Sequence, residues 1–281
     1  MLKGKQIAVV GLVVVLMGLL FSLDIKGLVK EEDGEHAGGA AQSAAQVPAV
    51  SLETISQAAK QTIDANLSQQ ITDLETKLKS ASGSEKVELQ KQLAQKWDDV
   101  NVPAPGAFYY EEIAQSTKNY ADWIKAGNLF TTAYQTMQDT LIQPALVQKA
   151  IGAFQKALEQ QPESLDAKTG LGVAYVSGTP NPMQGIQLLR EVVTKDPENI
   201  SANMNLGLFS MKSGQFDKAI NRFRTVLSKE SKPETWLYLA MAYENSGDKD
   251  NAIEAYTKGK ELAADPSVDK LVEQKLQELR K

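Results

Sequence analysis

The sequence predicts an all-α chain. Helical hairpins stack into a solenoid, preceded by a long amphipathic helix, a flexible linker and an N-terminal transmembrane helix. Three observations predict this. Large and small apolar residues recur in paired helices with a period of about 34 residues. A stripe with helical spacing precedes them. An uncharged apolar run opens the chain.

Residues 1–6 form a short tail carrying Lys3 and Lys5. Residues 7–23 are uncharged and rich in Leu, Val and Ile; about 17 residues is near the lower limit for a helix that spans a bilayer. Asp24 closes the run. The alternative is a cleaved signal peptide, whose apolar core is normally shorter and is followed closely by a small-x-small site. "FSLDIK" follows here instead, which favours an uncleaved anchor. Lys26 and Lys30 lie beyond the span, so the positive-inside count is nearly even. A short tail with the bulk of the chain exported is the commoner outcome. The expected orientation is therefore N-terminus cytoplasmic and large domain outside.

Residues 24–50 are rich in Gly, Ala, Ser and Gln and read as a flexible linker. They hold His36, the single histidine, and the chain has no cysteine. A histidine on a linker is not positioned for acid–base work. The usual parts of a Ser–His–Asp triad, a His-ligated metal site or a Cys–His pair are missing. There is no glycine-rich phosphate loop and no nucleophile elbow, so neither an enzyme nor a cofactor is expected. A net charge of −5 argues against a nucleic-acid surface.

From residue 51 to residue 80, Leu52, Ile55, Ala59, Ile63, Leu67, Ile71, Leu74 and Leu78 follow spacings of three or four, predicting one helix. The mean spacing, about 3.7, disfavours a left-handed coiled coil. This helix either packs on the following domain or serves self-association. "SASGSEK" ends it, and Ser82 with Glu85 has the spacing of a capping box.

The repeat then runs over residues 84–266, in units near 87–119, 120–164, 165–199, 200–232 and 233–266. First helices carry Leu93, Ala94 and Trp97; Trp123, Ala126, Gly127 and Phe130; Leu171, Gly172 and Tyr175; Leu206, Gly207 and Ser210; Trp236, Leu239, Ala240 and Tyr243. Second helices carry Gly106, Tyr110 and Ile113; Ala150, Phe154 and Ala157; Gly185, Leu189 and Val192; Ala219, Phe223 and Val226; Ala252, Tyr256 and Gly259. Pro162, Pro197 and Pro266 are expected to end second helices. The second unit has an insertion of about eleven residues relative to the 34-residue period, read as a binding loop or as extended helix. Small residues let helix backbones approach and large ones fill the gap beside them. Residues 267–281 read as a capping helix with Val268, Leu271, Val272, Leu276 and Leu279 on its apolar face.

These residues resemble the tetratricopeptide repeat (TPR) family, with Ser210 in place of an aromatic and Lys168 and Asn203 in place of the large first residue. The resemblance implies a solenoid whose first helices line a concave groove for a protein or peptide partner. The groove-facing offsets fall at Lys125, Asn128, Gly170, Val173, Met204, Asn205, Leu208, Met211, Leu237, Tyr238, Met241 and Glu244. Lys125, Asn128 and Asn205 alone do not complete the carboxylate clamp of some relatives. The set reads as an apolar, methionine-rich groove for variable apolar partners, or as packing between repeats and under the cap. In layout the chain resembles bacterial envelope proteins with one N-terminal span and a short repeat array. That implies an inner-membrane anchor over residues 7–23, a periplasmic array and a scaffold or adaptor role. The alternative is a structural subunit or homo-oligomer whose groove is filled internally.

Overall fold

The computed structural model describes residues 50–281, which among them form thirteen α-helices and no strand. The span expected over 7–23 and, except for Val50, the linker expected over 24–50 lie outside the described residues. Val50 packs against the first core cluster. Among the described residues no helix is long and apolar enough to cross a membrane.

The helices are α1 (Leu52–Lys60), α2 (Ala65–Leu78), α3 (Gly83–Asp98), α4 (Pro103–Thr117), α5 (Tyr120–Thr136), α6 (Gln143–Gln160) and α7 (Leu165–Gly178). They continue as α8 (Pro182–Lys195), α9 (Ile200–Lys212), α10 (Phe216–Leu227), α11 (Pro233–Ser246), α12 (Lys249–Ala263) and α13 (Pro266–Leu279). From α3 to α12 they pair as hairpins. The first helices α5, α7, α9 and α11 also touch in succession, and that contact makes the hairpins a solenoid.

The single helix expected over residues 51–80 is two. Ser51 caps α1, accepting from the Thr54 amide, and Asp64 caps α2, accepting from the Asn66 and Leu67 amides. The apolar stripe keeps its spacing across the break because α1 packs on α4 while α2 packs on α3. Ser82 heads α3 without a side-chain cap bond, so the expected capping box is not formed. Pro266 begins α13 rather than ending α12, which closes on Ala264 in the left-handed region. The extra residues of the second hairpin lengthen α5 and α6 to 17 and 18 residues, against 13 and 12 in α9 and α10. A short connector, residues 137–142, joins them.

The repeat residues act as wedges and slots. Phe154 of α6 is almost wholly buried between two first helices. A Cβ on Gly127 of α5 would lie 2.7 Å from its ring, and one on Gly170 of α7 would overlap it. Phe223 meets Gly207 in the same way, at 2.6 Å. In the first hairpin the core positions fall to Phe108 and Tyr109, leaving Tyr110 half-buried. Asn203, at a position usually taken by a large residue, is fully buried. It donates to the Pro197 and Asn199 carbonyls and accepts from Arg222 at 2.8 Å, so a polar network fills the slot.

The two N-terminal helices are held by one carboxylate. Glu75 of α2 accepts from Ser56 (2.5 Å) and Lys60 (2.6 Å) of α1 and from the Tyr109 hydroxyl of α4 (3.2 Å). Burial, with Glu75 beside it, pushes the Tyr109 hydroxyl well up, so it serves as a donor.

Substitutions at these contacts have defined outcomes. Gly170→Ala must displace the Phe154 ring and is expected to cost about 1–3 kcal/mol, read as a lower urea midpoint at unchanged slope. Gly152→Ala, where a Cβ meets nothing within 4 Å, is expected to be neutral or to stabilise by up to about 1 kcal/mol. Glu75→Gln weakens the bonds to Ser56, Lys60 and Tyr109 and is expected to cost about 1–3 kcal/mol. Hydrogen exchange should show the loss concentrated in α1.

Candidate functional site

The first helices are in register. Lys125, Gly170, Asn205 and Tyr238 share one row, and Asn128, Val173, Leu208 and Met241 share the next. Ile124, Thr169, Met204 and Leu237 form a third. Part of this face lines an open groove of about 920 Å³ over α5, α7 and α9. Its floor is Ile124, Phe154, Gly170, Val173, Met204 and Leu208. Its rim is polar, with Asn128, Thr131 and Gln135 on α5, Asp166 on α7, the corner Asp196, Glu198 and Asn199, and Ser201 and Asn205 on α9.

Of the residues expected at the groove, Asn128, Gly170, Val173, Met204, Asn205 and Leu208 line it together. Asn205 donates back to the Ser201 carbonyl at 2.9 Å, which orients its amide. The others do not join them. Lys125 lies over the Tyr110 ring, 5.9 Å from its centroid, and lines a separate crevice against α3 and α4. It is therefore not placed to complete a clamp with Asn128 and Asn205. Met211 and Leu237 pack against the C-terminal core, Leu237 filling the slot over Gly259. Tyr238 and Met241 are 36% and 42% exposed on α11, outside the groove lining. Tyr238 stacks on Phe223 at 5.8 Å, in the row where Gly170 leaves room for Phe154.

Glu244 faces the cap. It accepts from the Tyr256 hydroxyl at 2.6 Å and from Lys275 of α13 at 3.1 Å. Burial and the Glu244 carboxylate both push the Tyr256 hydroxyl up. Of the three candidate methionines, Met204 lines this groove, while Met211 and Met241 lie outside its lining. The acidic corner and Thr169 escape a reading confined to groove offsets. The "DPEN" turn before α9, which places carboxylates beside a helix start, was the available signal.

Among the described residues no group of His, Cys, Asp or Glu is arranged to hold a metal ion.

The comparisons with known proteins bear on the fold. A model of the tetratricopeptide repeat family matches residues 210–268, from the end of α9 to the start of α13. That segment is similar to the tetratricopeptide repeat. The curated protein sequences contain no match to the chain. Among solved structures, TTC0263, a thermophilic TPR protein of Thermus thermophilus, is 17% identical and superposes with a TM-score of 0.52. The match covers 68% of this chain and 99% of that one. MamA from Desulfovibrio magneticus RS-1 is 20% identical, with a TM-score of 0.47, covering 66% of this chain and 98% of that one. YrrB, described as a TPR protein with an unusual peptide-binding site, is 17% identical, with a TM-score of 0.44, covering 66% and 91%. At 17% identity the likeness to TTC0263 shows the fold alone: an all-α solenoid of TPR type.

The TPR array is closed at its C-terminus by α13. Val272 and Leu276 are buried there, with Val268 and Leu279 partly so, while Leu271, expected on the apolar face, is 60% exposed. Asp265 caps α13 through the Ser267 hydroxyl and the Ser267 and Val268 amides, which hold its carboxyl below the ordinary 3.8. Lys260 donates to Glu273 at 2.5 Å and holds that carboxyl below the ordinary 4.5. Folding thus favours the charged form of both. Their contribution is complete above the ordinary values and is lost as pH falls through the lower folded-state values. Acidification from pH 7 to pH 3 is expected to weaken the docking of α13 by a small amount, both carboxylates being solvent-exposed. Hydrogen exchange, corrected for its intrinsic pH dependence, should show the loss of protection concentrated in α13.

Proposed function

We propose that this chain is a membrane-anchored TPR scaffold that holds a protein partner, or a segment of an exported client, in its concave groove. Anchoring is through residues 7–23, with the N-terminus cytoplasmic and the array in the periplasm of a bacterial envelope. The observation that carries the scaffold reading is the groove itself. Three successive first helices present one apolar floor inside one polar rim, too open to enclose a small molecule. An extended peptide suits such a surface, because its backbone needs hydrogen-bond partners while its side chains seek apolar cover.

A second reading is a structural subunit or homo-oligomer. Tyr238 and Met241 on α11, with Leu262 and Leu271 near the cap, leave apolar side chains exposed beyond the groove.

Affinity purification of the tagged full-length protein from its native membrane separates the two. Asn128→Trp places bulk at an exposed groove position and leaves the core intact. Met204→Glu/Leu208→Glu charges the floor. Under the scaffold reading, quantitative mass spectrometry finds one non-self protein depleted at least tenfold by either variant, with circular dichroism unchanged for Asn128→Trp. Recovery of the same proteins with Asn128→Trp, or of copies of this chain alone, would contradict it.

A further inference from the structure

Thr169 stands out in its row. Ile124, Met204 and Leu237 occupy the equivalent places on α5, α9 and α11, so a hydroxyl lies where those three helices use apolar side chains. Thr169 is only 6% exposed, and its Oγ1 is buried with no hydrogen-bond partner. Helical threonines usually relieve this by donating to the carbonyl four residues back. Thr72, Thr131, Thr225 and Thr257 do so here, at 2.8–3.1 Å. An unsatisfied buried hydroxyl weakens the fold, and this one lines the groove.

The charge of the groove is the second, independent observation. Asp166, Asp196 and Glu198 line it against one cation, Lys229. Lys229 is already paired with Glu198 at 2.7 Å. Asp196 accepts from the Glu198 amide and the Asn199 side chain, both uncharged donors. Asp166 lies one helical turn from Thr169, and Val173 lies one turn beyond it. One carboxylate, a hydroxyl without a partner and an apolar side chain therefore follow one another along α7, with Asp196 facing the groove from the corner before α9.

We propose that the occupant is an extended segment of a partner protein carrying lysine or arginine within about four residues of a bulky apolar side chain. The cation meets Asp166 and Asp196, the apolar side chain covers Val173, Met204 and Leu208, and a main-chain amide donates to Thr169 Oγ1 once the hydroxyl turns out of its buried position. This rests on the groove being the binding surface.

The test uses the full-length protein in a neutral detergent and three capped nonapeptides, each alternating leucine with lysine, glutamate or serine and carrying an uncharged dye. Fluorescence anisotropy should show the lysine peptide binding best, with affinity falling as salt rises. Asp166→Asn/Asp196→Asn should weaken it about tenfold. Thr169→Val, near-isosteric, should weaken it severalfold while leaving the melting temperature unchanged or higher. That pairing is one a purely structural threonine would not produce.

If the lysine peptide binds but ignores all three substitutions, its attraction is to the acidic chain in general and the inference is overturned. If glutamate or serine peptides bind as well as lysine and Met204→Glu/Leu208→Glu abolishes binding, the groove reading stands and the cationic one falls. Failure of every peptide to bind also overturns the cationic inference. The groove reading is then judged by the purification experiment alone.

Discussion

The Phe154 ring reaches the floor of the groove because neither Gly127 nor Gly170 carries a side chain. One aromatic from a second helix thus joins its own first helix to the next one. Phe223 repeats the device at Gly207, and Leu189 does so in aliphatic form at Gly172. The wedge sets how closely helices approach, and the approach sets the solenoid. It also explains why bulk inside a slot is costly while bulk on the free face of a first helix is not.

From that constraint comes a face on which side chains recur at fixed offsets. Where the offset holds Gly170 the floor is deep; where it holds Tyr238 the ring lies over Phe223 and the floor is covered. The groove therefore sits over the middle hairpins. Its ends are closed differently. Toward the N-terminus, Lys125 turns to Tyr110 and the crevice against α3. Toward the C-terminus, Glu244 is drawn into bonds with Tyr256 and the capping helix. What remains open combines an apolar floor with a rim that includes Asp166, Asp196 and Glu198.

The solenoid was legible in the sequence because wedge and slot residues are local in number and rigid in spacing. Gly172 with Leu189 and Gly207 with Phe223 could be read without knowing any neighbour. The break after Lys60 was not, because Ile63 and Leu67 keep the apolar period through a turn that buries the same side. Asp64, a good cap inside a helical pattern, was the overlooked sign. Asn128, Val173 and Met204, expected at the groove from their offsets, line the open cavity. Lys125 and Glu244 turn away from that cavity because long side chains go where a partner lies, and Lys275 becomes a neighbour of Glu244 only once α13 has docked. Asp196 and Glu198 escaped because they sit in a corner rather than on a first helix. Thr169 escaped because an unpaired hydroxyl is a property of packing.

The account rests on the groove over α5, α7 and α9 being the surface that meets a partner. The most direct measurement places a photo-crosslinking amino acid at Thr131, on the groove rim, and separately at Met183, exposed on α8 away from it. Illumination in the native cell should give an adduct with a distinct second protein from position 131 and none of that adduct from position 183. Equal adducts from both positions, or adducts only with further copies of this chain, would contradict the account.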